Sequence, residues 1–285
     1  MDGDYATSGY IRAESAKTRD GILASLSYIL PSAVKPFAYQ YDPPPGKPQR
    51  SGTYVERTVS IANGRLLAGP LSLDEQGFLF RRHISAVGDF YDNAEVKAGY
   101  YPEAERLVAE ATGANRVVAF DHNQRNAAQA RAGVRGIKEP VPRVHNDYTE
   151  KSGPQRLSDL LGEDEARRLE GRRFAIVNVW RPIAGPVEDW PLAVCDARSI
   201  APYDLAATDL IYPDRVGETY AVTYNPRHRW FYFPQMRHDE ALLLKCYDSD
   251  AARARFTAHT AFHDPTAPLD AAPRQSIEVR TLAIF

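Results

Sequence analysis

From Gly171 to the C-terminus the chain is a succession of short apolar runs separated by turn residues, and this pattern restricts the fold more than any other feature. The runs cover 174–180, 191–196, 208–212, 219–224, 229–233, 241–247, 256–262 and 276–285. Each has the length of a strand, and closely spaced short strands with turn punctuation build a sandwich, barrel or jelly roll. The composition agrees: 16 Tyr and 11 Phe suit pleated surfaces, while 21 Pro and 18 Gly supply the turns. The chain reads as mainly β.

Helices are expected in two places. One covers 102–111, with Pro102 in its first turn and Gly113 just past its end; it leads into a strand at 116–120. The other covers about 158–169, where Leu157, Leu160, Leu161 and Leu169 recur at helical spacing and Gly171 can cap. The run 53–61 followed by Asn63-Gly64 has the turn chemistry of a hairpin. Residues 1–50 read as an N-terminal arm and proline-rich loop, because Pro43-Pro44-Pro45-Gly46-Lys47-Pro48 fits neither helix nor central strand. Residues 51–285 read as a single domain with helical insertions. No repeat is visible, and the glycine fingerprints of dinucleotide and nucleotide-phosphate sites are missing.

Thirty-five Lys and Arg against 37 Asp and Glu leave a formal charge of −2, which gives no global field to attract nucleic acid or an anionic membrane. Cys195 and Cys246 both lie in apolar runs, where buried, reduced thiols are the ordinary outcome. The acidic opening Met1-Asp2-Gly3-Asp4 is unlike a secretory leader, and no apolar stretch is long enough to span a bilayer. The expectation is a cytoplasmic protein; its oligomeric state is open.

Of seven histidines, only His145 has an aspartate two positions on, Asp147. On a strand that spacing turns an imidazole and a carboxylate to one face, offering two of the three ligands of a facial metal triad. The third ligand must come from a distant strand. His259, inside an apolar run, is the first candidate and His228 the second. His259 and His263 have the spacing of a helical zinc pair, but in a strand they would stand about 13 Å apart, too far to share an ion. Fifteen residues beyond His259 comes Arg274, followed by Ser276. A guanidinium fork there suits the far end of a dicarboxylate. Arg280 falls on the same face of a regular strand, so the choice between the two arginines stays open. Asn178 and Arg181 interrupt the run at 174–182, and one of them could reach a cofactor. Tyr224, Trp230 and Tyr232 could wall a substrate pocket, but aromatic residues in strands are more often core.

His-x-Asp, a later His and Arg-x-Ser in that order resemble the Fe(II)/2-oxoglutarate-dependent oxygenases. The segments 144–149, 178–182, 191–196, 230–234, 259–265 and 276–280 resemble one branch more narrowly, that of the gibberellin desaturase-like proteins, the aspergillic-acid hydroxylase/desaturase and the cephamycin methoxylase component. The resemblance implies a double-stranded β-helix (jelly roll) with flanking helices. It implies iron held by His145, Asp147 and His259, and 2-oxoglutarate held by Arg274, with Ser276 and Arg280 as further cofactor-side residues. It also implies O2 as oxidant, and hydroxylation or desaturation of an unactivated C–H bond of a small-molecule substrate, a secondary metabolite or an amino-acid-derived compound. The substrate itself is not implied. Two other readings use the same residues: a metal-binding jelly roll without oxygenase activity, and a zinc or manganese hydrolase.

Overall fold

A computed structural model describes residues 16–285. The strands are β1 Lys17–Thr18, β2 Gly21–Ile29, β3 Phe37–Tyr39, β4 Tyr54–Asn63, β5 Phe78–Arg82, β6 Arg116–Asn126, β7 Ile137–Lys138, β8 His145–Asn146, β9 Phe174–Pro182, β10 Leu192–Cys195, β11 Leu205–Ile211, β12 Val216–Val222, β13 Trp230–Tyr232, β14 Glu240–Asp248, β15 His259–Ala261 and β16 Gln275–Ile284. They form a six-stranded sheet, β5-β14-β9-β16-β6-β7, and a ten-stranded sheet, β1-β2-β4-β13-β10-β15-β8-β12-β11-β3. The eight strands β6, β8, β9, β10, β13, β14, β15 and β16 alternate between the sheets as the chain proceeds, except that β10 and β13 follow one another in the larger sheet; their spatial orders are β6-β16-β9-β14 on one side and β8-β15-β10-β13 on the other. This is the jelly roll.

The central strands β9 and β14 are buried along their whole length. Alternation then splits their side chains between two cores. Ile176, Trp180, Leu242, Leu244, Leu282 and Ile284 fill the space between the sheets. Val177, Val179, Leu243, Ile277, Val279 and Ala283 face outward and pack on Ala104, Leu107 and Val108 of the helix Tyr101–Thr112. That helix carries proline in its first turn and ends at Gly113 in the left-handed region, φ 72°, as its sequence requires. The parity of β16 matters most for the site. Ser276, Glu278 and Arg280 share the inward-facing parity of Leu282 and Ile284, so one end of the barrel interior is polar.

Three expectations change. Gly21–Ile29, assigned to an arm, is a nine-residue strand paired antiparallel with β4 inside the larger sheet. Its inward residues Ile22, Ala24, Leu26 and Tyr28 pack with Ile61, Trp230 and Phe262. Asn63-Gly64 does not close a hairpin; the Asn63 side chain accepts from Arg65 N and starts a short 3-10 turn, and Gly64 lies under the Phe233 ring, where a Cβ would clash at 2.6 Å. The second helix is two, Ser152–Leu161 and Glu163–Arg168, broken at Gly162 with φ 81°. No helix among the described residues is long and apolar enough to cross a membrane.

Candidate metal and co-substrate site

β8 and β15 are neighbours, and His145 stands directly opposite His259 in their register. Their ring centroids are 4.4 Å apart. Asp147 follows at the end of β8, its Oδ1 3.5 Å from His145 Nε2. One ligand atom from each of His145, Asp147 and His259 lies within 4.8 Å of the others. Each imidazole is oriented by its own strand: His145 Nδ1 donates to the Arg143 carbonyl at 2.8 Å, and His259 Nδ1 to the Thr257 carbonyl at 2.9 Å. Holding the proton on Nδ1 leaves the Nε2 lone pair of both rings free for a metal.

Burial, reinforced by His259, pulls the His145 pKa down to about 3, so the ring is neutral at ordinary pH. Burial alone would raise the Asp147 carboxyl; the Arg280 guanidinium, with a hydrogen bond from Asn178, instead holds it well below the usual range. Asn178 Nδ2 donates to Asp147 Oδ2 at 2.8 Å, and Arg280 Nε lies 3.8 Å from the same oxygen. Two imidazoles and one ionised carboxylate on a single face are a donor set that fits Fe(II) and leaves positions open.

His228 is elsewhere. It is buried beside Tyr28, 3.1 Å from Asp204, and belongs to a separate polar cluster with Asn225. Arg274 and Arg280 have different surroundings. Arg280 pairs with Asp121 and Asp147. Arg274 is buried over the Trp180 ring and donates to the Trp190 carbonyl at 2.5 Å, while its Nε and the Ser276 hydroxyl are buried without partners. Unpartnered buried donors of this kind are costly unless a ligand satisfies them, and a carboxylate fits both. Of the pair Asn178 and Arg181, only Asn178 faces the site. Arg181 points the other way, bonding the His238 carbonyl against Phe90 and Tyr100. Trp230 and Tyr232 are core residues, as their sequence context implies, whereas Tyr224 is exposed and only meets Tyr28 edge-on.

Sequence reasoning missed Asp121, Arg125, Arg143 and Glu278. Arg125 opposes Ser276 in the β6–β16 register, and Asp121 opposes Arg280 just before the register shifts. Only strand pairing reveals these neighbours. A cavity of about 670 Å³ opens onto His145, Asp147 and Arg280 and is lined by Arg125 and Arg143.

A jelly roll with two histidines and an aspartate gathered at one end of its barrel defines the class of non-haem iron oxygenases. The chain belongs to the Fe(II)/2-oxoglutarate-dependent dioxygenases. A family model described as an oxidoreductase/YMDC permease-like domain matches residues 26–284. The Fe(II)/2-oxoglutarate-dependent dioxygenase nvfI of Aspergillus novofumigatus is 34% identical over 251 residues, covering 86% of this chain and 89% of that protein. The hydroxylase/desaturase efuI of Hormonema carpetanum is 35% identical over 256 residues, covering 81% and 85%. A solved structure of the iron and alpha-ketoglutarate-dependent endoperoxidase NvfI superposes with a TM-score of 0.85 at 30% identity, over 94% of this chain and 99% of that one.

Proposed function

We propose that this protein hydroxylates or desaturates an unactivated C–H bond of a small secondary metabolite, using Fe(II), 2-oxoglutarate and O2. In this reading His145, Asp147 and His259 hold the iron, and Arg274 with Ser276 takes the far carboxylate of 2-oxoglutarate. The observation that carries it is the convergence of three ligand atoms whose imidazoles are already turned by the backbone. When bound, iron with 2-oxoglutarate and O2 supplies an oxidative decarboxylation to succinate and carbon dioxide and an oxidant for the substrate.

The chain's own residues do the rest. Asn178 and Arg280 occupy Asp147 Oδ2 and leave Oδ1 facing the metal position. Arg280 also offsets the carboxylate's charge, so that Asp147 stays ionised despite its burial. Arg274 and Ser276 fix the co-substrate through donors that nothing else satisfies. The apolar wall of Trp180, Val194 and Leu244 keeps water from the inner end of the barrel. We assign residues 51–285 to one catalytic domain whose larger sheet is extended by Gly21–Ile29, and we place the protein in the cytoplasm.

The test is anaerobic titration of the Fe(II) protein with 2-oxoglutarate, following the visible charge-transfer band of a chelated keto acid, and then succinate formation on admitting O2. A hydrolase using the same ligands would show neither band nor oxygen dependence.

A further inference from the structure

The cavity above the ligand set is more basic than the chain that encloses it. Eight Lys and Arg line it against four carboxylates, in a protein of net charge −2. All four acids are engaged. Asp147 faces His145 and Arg280, Asp159 lies 4.0 Å from Arg156, and Asp209 and Glu218 both pair with Lys35. Six cations have no carboxylate partner among the described residues: Arg50, Arg125, Lys138, Arg143, Lys151 and Arg215. Iron(II) and doubly charged 2-oxoglutarate cancel each other, so the surplus survives loading of the site.

Solvated cations at a rim need no explanation. Arg125 and Arg143 do, because both are half-buried. Arg125 spends one nitrogen on the Glu139 carbonyl, and Arg143 does no more than lie 5.9 Å from the Tyr54 ring. Arg143 is two residues from His145, so the two side chains leave the chain on the same side, about 7 Å apart at their Cα atoms. Arg125 stands across β6–β16 from Ser276. Like charges held together in a cavity favour an anion between them.

We propose that the primary substrate is an organic anion whose acidic group is held by Arg143, with Arg125 beside it, while its reacting carbon reaches toward His145. The inference rests on the oxygenase reading and supplies its substrate class. A neutral hydrocarbon-like substrate would leave two half-buried guanidiniums without a carboxylate or other anion, and a cationic one would be repelled.

The probe is 8-anilinonaphthalene-1-sulfonate, compared with N-phenyl-1-naphthylamine, which has the same rings without the sulfonate. Fluorescence titrations use anaerobic Fe(II) protein saturated with 2-oxoglutarate. The sulfonate should bind about tenfold more tightly than the amine, and Arg143→Gln should remove most of that advantage, Arg143→Lys restoring part of it. Arg198→Gln removes the same charge outside the cavity and should leave the ratio unchanged. Equal affinity for the two probes, or a ratio insensitive to Arg143→Gln, overturns the inference. So does an Arg143→Gln effect confined to the 2-oxoglutarate midpoint, because the anion would then be the co-substrate. A missing charge-transfer band sinks the oxygenase reading instead, and the probe ratio can still be measured without it.

Discussion

Asn178 Nδ2 donates to Asp147 Oδ2 at 2.8 Å, so a neutral amide on β9 sets which oxygen of a β8-end carboxylate is free to face the two histidines. The contact crosses the barrel from one sheet to the other. Residues that orient a metal ligand typically contribute about 10–100-fold in metal affinity or activity. Asn178→Ala should therefore weaken Fe(II) binding by about that factor while circular dichroism stays native. Asn178→Asp should be worse, since it sets a second carboxylate against Asp147. Equilibrium dialysis of Fe(II) decides it, and an unchanged affinity in both variants removes Asn178 from this role.

His259 and His228 should fail in different ways. His259→Ala and Asp147→Ala should each lose most bound iron with the fold intact. His228→Ala should keep iron but lose about 1–3 kcal/mol of stability, because Asp204 forfeits a buried partner. Metal analysis and thermal unfolding of the three variants separate the roles. Iron loss in His228→Ala with retention in His259→Ala would reverse them.

The two arginines of β16 and its approach should also separate. Arg274→Ala should weaken 2-oxoglutarate binding by some tens to thousands of times, the equivalent of about 2–5 kcal/mol, with iron affinity little changed. Arg274→Lys should recover only part, since an ammonium cannot reproduce the fork. Arg280→Ala should instead weaken iron, because it leaves Asp147 less well held. The charge-transfer midpoint and iron dialysis report these independently, and an unchanged midpoint in Arg274→Ala transfers the co-substrate role elsewhere.

Away from the site, Lys245 is wholly buried between Asp74 and Asp248, at 2.5 and 2.7 Å. Burial would raise the Asp74 carboxyl, but Lys245, Arg173 and Arg253 bring it below its ordinary 3.8. A depressed carboxylate contributes stability that is complete above its unfolded value and lost as pH falls through the folded one. The Tm should therefore hold down to about pH 4 and then drop. Lys245→Met should cost about 3–5 kcal/mol at neutral pH and make that acid limb shallower. An acid limb of wild-type steepness in the variant would mean that Asp74 does not control it.

How much the sequence disclosed follows from how local each feature is. β9 and β14 were visible because strands buried on both faces are continuous apolar runs. His145 and Asp147 stood out because two positions suffice to express a shared face. The Asn63-Gly64 turn misled because its glycine serves close approach to Phe233, a residue 169 positions later in the chain. Gly21–Ile29 looked detached because its partner, β4, lies beyond an exposed proline loop. Arg125 and Asp121 became neighbours of the site through the β6–β16 register, and the register shift at Arg280/Thr281 cannot be counted from either strand alone; Glu278 was legible by alternation from Ser276 and Arg280 and was overlooked.

Both imidazoles are moored to a carbonyl two residues back in their own strand, so the metal position is a stiff socket that exists before any ion arrives. Two imidazoles and a carboxylate are donors that copper and zinc also accept, and in intrinsic affinity for nitrogen and oxygen donors both stand above iron. Occupancy is then decided by which ion the surroundings supply first, and protein prepared in air with trace zinc should emerge intact, loaded and silent.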